Sequence, residues 1–282
     1  MKTQFKTLGR IVLAIAGVLV LFILIVGSGN YIQSLGFKQL SNIIMLLFPI
    51  AVYFYVRWLN RRLNYLNPSA YGFRFTNFAR NVFQGFAFAT AILAVALLAI
   101  HLCLDVAVTF IPLEANFLKP LLVLLATLII VGAWEEFFFR GFVLTTLIHY
   151  KFGFHGAALI SSVTFSIVHW LSFDMSETSW LWYIGIVILG YLLALLYVLT
   201  KSIWSVAAFH LIWNFWAHLF DERGNAVGII TIRNYAEYSK EIGAITVLTL
   251  AVVLIGVLIT KRCTIKSLYP ARTLYTFPDS FE

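Results

Sequence analysis

Charged residues are scarce in this sequence. Only 11% of its 282 residues are Asp, Glu, Lys or Arg, whereas 61% are hydrophobic. A soluble domain of this length has no means of burying so much apolar surface, so the composition excludes a soluble globular protein. We therefore predict an integral membrane protein.

Cysteine and acidic residues are also few. Cys103 and Cys263 fit neither a disulfide framework nor a cysteine-based zinc site. Twelve acidic residues stand against twenty Lys and Arg, which gives a net charge of +8. In a membrane protein this excess belongs in loops that face the cytoplasm. We expect membrane lipids as partners and no nucleic acid.

Long apolar runs are what the sequence has instead. Each is about 20 residues long, enough to cross a bilayer as a helix. They fall roughly at 10–28, 39–57, 82–104, 117–139 or beyond, 155–173, 179–200, 202–220 and 242–260. The first is predicted to be an uncleaved membrane helix rather than a signal peptide. The runs are continuous, which predicts an all-α polytopic membrane bundle of about eight transmembrane helices.

The charges outside these runs alternate in sign from loop to loop. One set of loops and tails is basic and contains Lys2, Lys6, Arg10, Arg57, Arg61, Arg62, Arg74, Arg80, Lys151, Lys201, Lys261, Arg262, Lys266 and Arg272. The opposite set contains Glu114, Asp174, Glu177, Asp221, Glu222, Glu237 and Glu241. By the positive-inside rule, both termini are cytoplasmic. Residues 58–81 are expected along the cytoplasmic surface, and 221–241 outside.

Three ionisable residues interrupt the fourth apolar run. In "WEEFFFRGF", Glu136 and Arg140 are four residues apart, so on a helix they meet on one face and form an ion pair. Glu135 points about 100° away from Glu136. A structural ion pair between helices would explain Glu136 and Arg140, but it would leave Glu135 unexplained. Ionisable residues inside a membrane indicate a functional site.

Two histidines and an asparagine lie inside later runs. His169 follows Phe165 by one helical turn, and Asn214 follows His210 by one turn. A single such histidine is more often an interhelical hydrogen-bonding group than a catalyst. Two histidines, an asparagine and an unexplained glutamate on three helices favour a shared site.

These three motifs, "EEFFFR", "FSIVH" and "HLIWN" in this order, resemble the CAAX-protease and bacteriocin-processing family. This family of intramembrane proteases, also called CPBP or Abi, includes the Ras-converting type of CAAX endopeptidase. The resemblance covers about residues 117–220. It divides the chain into 1–116, with three helices and a basic loop, a core at 117–220, and 221–282, all within one membrane domain.

The resemblance implies an endopeptidase that cleaves a membrane-associated or lipidated protein or peptide. Glu135 would be the general base and His169 would orient the water. His210 and Asn214 would hold the oxyanion, and Glu136 and Arg140 would maintain the shape and charge of the site. Zinc is an open alternative, with Glu135, His169 and His210 as its ligands.

A shared site restricts the length of the fourth helix. If that helix ended at Phe139, Glu135 would lie too near the cytoplasmic edge to meet His169. We therefore predict one long helix over about 118–149, with the acidic pair near its middle. We also predict that Glu135 lies within about 8 Å of both histidines, since one bridging water requires such proximity.

Two other functions fit an intramembrane cluster of Glu and His. One is a proton-coupled transporter, although no inverted repeat is visible. The other is a member of the same family without proteolytic activity, acting in bacteriocin immunity or as a scaffold. The compact sequence favours a bacterial plasma membrane as the location.

Overall fold

The computed structural model describes residues 2–62, 71–104, 106–110, 117–172, 180–220, 228–232 and 235–268. Most of these residues are helical. The helices are α1 (Lys2–Ser34), α2 (Lys38–Arg62), α3 (Phe78–Leu104), α4 (Leu118–Glu136), a π-helical segment (Phe137–Leu144), α5 (Thr145–His149), α6 (Gly153–Ser172), α7 (Trp180–Thr200), α8 (Ile203–Leu219) and α9 (Tyr235–Leu268). The expected outer acids Glu114, Asp174, Glu177, Asp221 and Glu222 lie outside the described residues, as do Arg272 and parts of the loops 58–81 and 221–241.

Six helices in the described part of the chain are long and apolar enough to cross a membrane. They are α1, α2, α3, the continuous helix Leu118–His149, α7 and α9. Large apolar side chains such as Leu24, Phe54 and Leu122 are exposed on these helices, as expected for surfaces that face lipid. The chain is an all-α integral membrane protein. Six of the eight predicted spans meet the criterion for length and hydropathy, and α6 and α8 are the other two.

The predicted long helix is confirmed. Leu118–His149 runs without a break through α4, the π-helical segment and α5, and we call it the site helix. Residues 135–148 are all buried. The π-helical turn was not predicted, because hydropathy does not distinguish it from an α-helix. Such turns occur frequently at functional sites.

The π-helical segment lies at the centre of the bundle. It contacts α2, α6, α7 and α8, while α4 packs against α8 and α6 packs against α7. Two glycines permit close helix packing. A Cβ at Gly132 would lie 3.2 Å from the carbonyl oxygen of Ala207 on α8, and one at Gly190 would lie 3.0 Å from the Cβ of Ser162. Small residues of this kind let membrane helices approach each other.

Two short strands lie in the connections between helices. β1 (Val108–Phe110) pairs antiparallel with β2 (Ile230–Ile232). Each strand has three residues, too few for a recognisable alternating pattern, and the pairing was not predicted. The strands tie the segment that follows α3 to the segment that precedes α9.

Candidate active site

The ion pair between Glu136 and Arg140 is present as predicted. Arg140 Nη1 lies 2.8 Å from Glu136 Oε1, and both side chains are fully buried. Arg140 Nη2 donates a second hydrogen bond, of 3.2 Å, to the carbonyl oxygen of Gly190 on α7. The guanidinium also lies 4.5 Å from the centre of the Phe165 ring on α6. Groups on three different elements thus compensate the cation, namely a carboxylate, a carbonyl oxygen and an aromatic ring. A buried charge requires such compensation.

His210 shares the same carboxylate oxygen. Its Nδ1 lies 2.7 Å from Glu136 Oε1, so this oxygen accepts hydrogen bonds from both Arg140 and His210. The bond connects α8 to the site helix, and it was not predicted from the sequence. Because an ionised carboxylate only accepts hydrogen bonds, Nδ1 carries the proton. In the neutral ring, Nε2 therefore presents its lone pair.

Glu135 lies between the two histidines. Its Oε2 is 3.7 Å from His210 Nε2 and 3.9 Å from His169 Nε2. The prediction that Glu135 lies within about 8 Å of both is confirmed. Both distances are too long for a direct hydrogen bond, and a water to one side of these atoms is within hydrogen-bond reach of them. Glu135 Oε2 is buried and has no hydrogen-bond partner among the described residues.

His169 has one ring nitrogen fixed by the backbone. Its Nδ1 donates a 2.9 Å hydrogen bond to the carbonyl oxygen of Phe165, which directs Nε2 towards Glu135. The His169 side chain is 18% exposed and the Glu135 side chain 12%, whereas the Glu136 and Arg140 side chains are completely buried. Glu135 and His169 thus form the accessible side of the cluster.

Phe165 and Gly190 contribute to the site, although the sequence predicted no role for either residue. The Phe165 ring centre lies 4.3 Å from that of His169 and 6.0 Å from that of His210. With its contact to Arg140, Phe165 touches three polar members of the cluster. The spacing of four residues from His169 was the available signal for Phe165. Nothing in the sequence distinguishes Gly190 from other glycines in apolar helices.

Asn214 is the sixth predicted site residue. It is half-buried on α8, one turn after His210, and its carbonyl oxygen accepts a 2.8 Å hydrogen bond from His218 Nδ1. Within the described ranges, no hydrogen bond joins its side chain to the other five residues. The structure therefore brings Glu135, Glu136, Arg140, His169 and His210 into contact distance. Asn214 follows His210 by one turn of α8.

The zinc alternative concerns Glu135, His169 and His210. Two ligands of a tetrahedral zinc ion with bonds of 2.0–2.1 Å lie about 3.4 Å apart. The observed separations of 3.7 and 3.9 Å are longer. In the part of the chain that the structure describes, no group of three or more His, Cys, Asp or Glu side chains is arranged to hold a metal ion. Zinc stays a prediction, and no step below passes through it.

Comparison with known proteins supports the motif-based resemblance. Residues 117–216 match the family model described as type II CAAX prenyl endopeptidase Rce1-like. All six predicted site residues lie within this segment. The match confirms the resemblance to the CAAX-protease and bacteriocin-processing family. No curated protein and no solved structure gives a significant match to the chain.

Proposed function

We propose that this chain is an intramembrane endopeptidase that hydrolyses a peptide bond of a membrane-associated or lipidated protein, using a water activated by Glu135. The observation that carries the proposal is the position of Glu135 Oε2, 3.7 and 3.9 Å from Nε2 of two histidines on two other helices. A water beside these atoms has an acceptor for each of its hydrogens. The family match adds peptide hydrolysis as the expected reaction.

Glu135 is the general base in this mechanism. It takes a proton from the water as the water oxygen attacks the peptide carbonyl carbon, and it later delivers this proton to the leaving amine. His169 accepts the other hydrogen of the water at Nε2, because its Nδ1–H is bonded to the Phe165 carbonyl. This bond fixes the tautomer and orients the ring.

His210 and Asn214 stabilise the oxyanion. Because Nδ1 of His210 already donates to Glu136, Nε2 donates to an oxyanion only when the ring is a cation. The Glu136 carboxylate, 2.7 Å away, stabilises this cation. The Asn214 amide supplies a second donor one turn further along α8.

Glu136 and Arg140 position the other groups. Arg140 holds Glu136 in place, and Glu136 in turn orients His210. Neither residue needs to touch the substrate, since both are fully buried.

We place eight helices in the membrane, including α6 and α8, with both termini in the cytoplasm. α6 and α8 carry His169 and His210 and pack against helices of spanning length. In this arrangement 1–116 and 221–282 surround the core at 117–220. The proposed location is a bacterial plasma membrane, with membrane lipids and a membrane-associated substrate as partners.

Cleavage in liposomes tests the proposal. Purified protein is incubated with a prenylated peptide and, separately, with a leader-type peptide. Glu135→Gln and His169→Ala should each lower cleavage by roughly 10²–10⁴-fold, the usual contribution of general acid–base catalysis. His210→Ala should lower it by roughly 10²–10³-fold, the usual cost of losing one oxyanion donor. Glu237→Gln, on the exposed start of α9, is the matched control and should cleave normally. Unchanged cleavage in the three site variants would refute the peptidase proposal.

Metal content and ion flux are measured on the same purified proteins. Cleavage that persists after a chelator removes all bound metal supports the water activated by Glu135 alone, whereas stoichiometric zinc and loss of activity would support the zinc alternative. Proton flux that these variants abolish would favour a transporter. Specific peptide binding without cleavage or flux would favour the non-proteolytic role.

A further inference from the structure

The end of α2 that carries the basic residues forms two adjoining cavities. One, of about 410 Å³, is lined by Phe54, Arg57, Trp58 and Arg61, and we call it the α2 groove. The other, of about 360 Å³, lies between α2 and the π-helical segment and includes Arg57 and Phe137. Arg57 lines both. Neither cavity includes a residue of the candidate active site.

These cavities lie on the α2 side of the site helix. Trp134 packs edge-on against Phe48 of α2 with ring centres 4.9 Å apart, and Phe137 lies 5.7 Å from Tyr53 of α2. Glu135 and Glu136, in contrast, reach α6 and α8. A ligand in the α2 groove would therefore be separate from a peptide held at Glu135.

No carboxylate of the described residues compensates the charge of the groove. Arg57 and Arg61 are exposed and one helical turn apart. Within the described ranges neither pairs with a carboxylate, and Arg57 Nη1 makes a long hydrogen bond of 3.4 Å to the hydroxyl of Tyr53. The carboxylates of the described residues are Glu135 and Glu136 in the site and Glu237 and Glu241 on α9. Two neighbouring guanidiniums that no described carboxylate neutralises suit a phosphate group.

The surface beside the arginines is apolar and lies on the same face of α2. Trp58 is 51% exposed and Phe54 60%, and Ile50, one turn before Phe54, is 52% exposed. A tryptophan and arginines at the end of an apolar span are typical of the membrane–water interface. A free phosphate would use the arginines alone, whereas a phospholipid would use the arginines and the apolar face together.

We propose that the α2 groove binds one anionic phospholipid, with its phosphate between Arg57 and Arg61 and an acyl chain along Phe54 and Ile50. This site is distinct from the candidate active site and does not depend on the proposed peptidase activity. Its specificity comes from charge at the headgroup and from aromatic contact just below it.

Native mass spectrometry of the full-length protein in detergent tests the proposal. The delipidated protein is titrated with phosphatidylglycerol and with phosphatidylcholine of the same acyl chains. The first bound lipid should be phosphatidylglycerol, favoured by about fivefold for each arginine that contacts it. Arg57→Gln with Arg61→Gln should reduce this preference to near unity. Lys261→Gln with Arg262→Gln removes the same charge from the exposed end of α9 and should leave it unchanged.

An equal loss of preference in both double variants would show diffuse attraction and overturn the proposal, as would an unchanged preference in the α2 variant. Displacement of the lipid by glycerol phosphate at equal concentration would identify a free-phosphate site instead.

A second experiment, on fluorescence quenching, needs no arginine variant. The fluorescence of Trp58 is the part of the emission that is missing in a Trp58→Phe variant. Brominated phosphatidylglycerol should quench this fluorescence more strongly than brominated phosphatidylcholine does. Equal quenching by the two lipids would contradict the proposal.

Discussion

At the residue scale, two adjacent glutamates have different surroundings. Glu136 Oε1 accepts hydrogen bonds from Arg140 and His210, whereas Glu135 Oε2 faces the Nε2 atoms of His169 and His210. Successive helical residues point about 100° apart, so neighbours in sequence enter different environments. His210 links the two, with one ring nitrogen bonded to Glu136 and the other facing Glu135.

Glu136→Gln should destabilise the protein more than Glu135→Gln. Without the carboxylate of Glu136, the fully buried Arg140 loses its ionic partner, and breaking a buried pair costs about 3–5 kcal/mol. Among the described residues, Glu135 forms no ion pair with an arginine or lysine, and its ion-pair partners are the two histidines. Thermal unfolding in detergent should therefore show a clear fall in Tm for Glu136→Gln and a small change for Glu135→Gln. Equal melting temperatures would contradict this assignment.

At the element scale, the site depends on close helix packing. Gly190 serves two purposes, because its missing side chain lets α7 approach Ser162 on α6 and its carbonyl oxygen accepts a hydrogen bond from Arg140. Gly132 similarly lets α4 approach α8, where its Cβ position is 3.7 Å from the Cβ of His210. The two glycines thus allow two pairs of helices, α6 with α7 and α4 with α8, to approach closely around the polar side chains of the site.

Gly190→Ala should destabilise the protein by about 1–3 kcal/mol, the usual cost of overpacking. The added Cβ would lie 3.0 Å from the Ser162 Cβ, and relief of this contact would move the Gly190 carbonyl away from Arg140. Adding Ser162→Gly should restore much of the lost stability, as a double-mutant cycle would measure. Gly256→Ala, where no atom lies within 4 Å of the new Cβ, is the control and should cause no loss. Additive effects of the Gly190 and Ser162 substitutions would exclude this contact as the cause.

At the scale of the whole molecule, the buried cluster lies inside a shell of apolar helices. The α1–α2 hairpin reaches the site helix through α2, and α9 packs against α3 and α7. The charges of the described loops and helix ends lie outside this shell. Such a distribution predicts how the chain crosses the membrane, because the positive-inside rule assigns basic loops to the cytoplasm.

The two native cysteines test this orientation. Cys103 is exposed near the end of α3, and Cys263 is exposed near the end of α9. With both termini cytoplasmic, the two residues lie on opposite sides of the membrane. A membrane-impermeant maleimide added to intact spheroplasts should label a Cys263→Ser variant, through Cys103, and should not label a Cys103→Ser variant. Inverted vesicles should give the reverse pattern. Labelling of both variants from one side would refute the topology.

The sequence predicted the elements better than it predicted their contacts. Apolar runs located the helices, and the need for Glu135 to reach His169 correctly extended the fourth helix to about 149. The π-helical turn, the β1–β2 pairing and the bond between Glu136 and His210 were missed. Each of these depends on hydrogen bonds whose partners are not specified by hydropathy or by local spacing.

The sequence by itself determined an all-helical membrane protein, a buried ion pair between Glu136 and Arg140, and a family resemblance carried by three motifs. These features depend on composition and on spacings of about one helical turn, which physical chemistry fixes locally. Only the tertiary structure decided that His210 bonds Glu136, that Gly190 supports Arg140, and that Glu135 faces both histidines. These contacts join residues up to 75 positions apart in the chain, and helix packing alone brings them together.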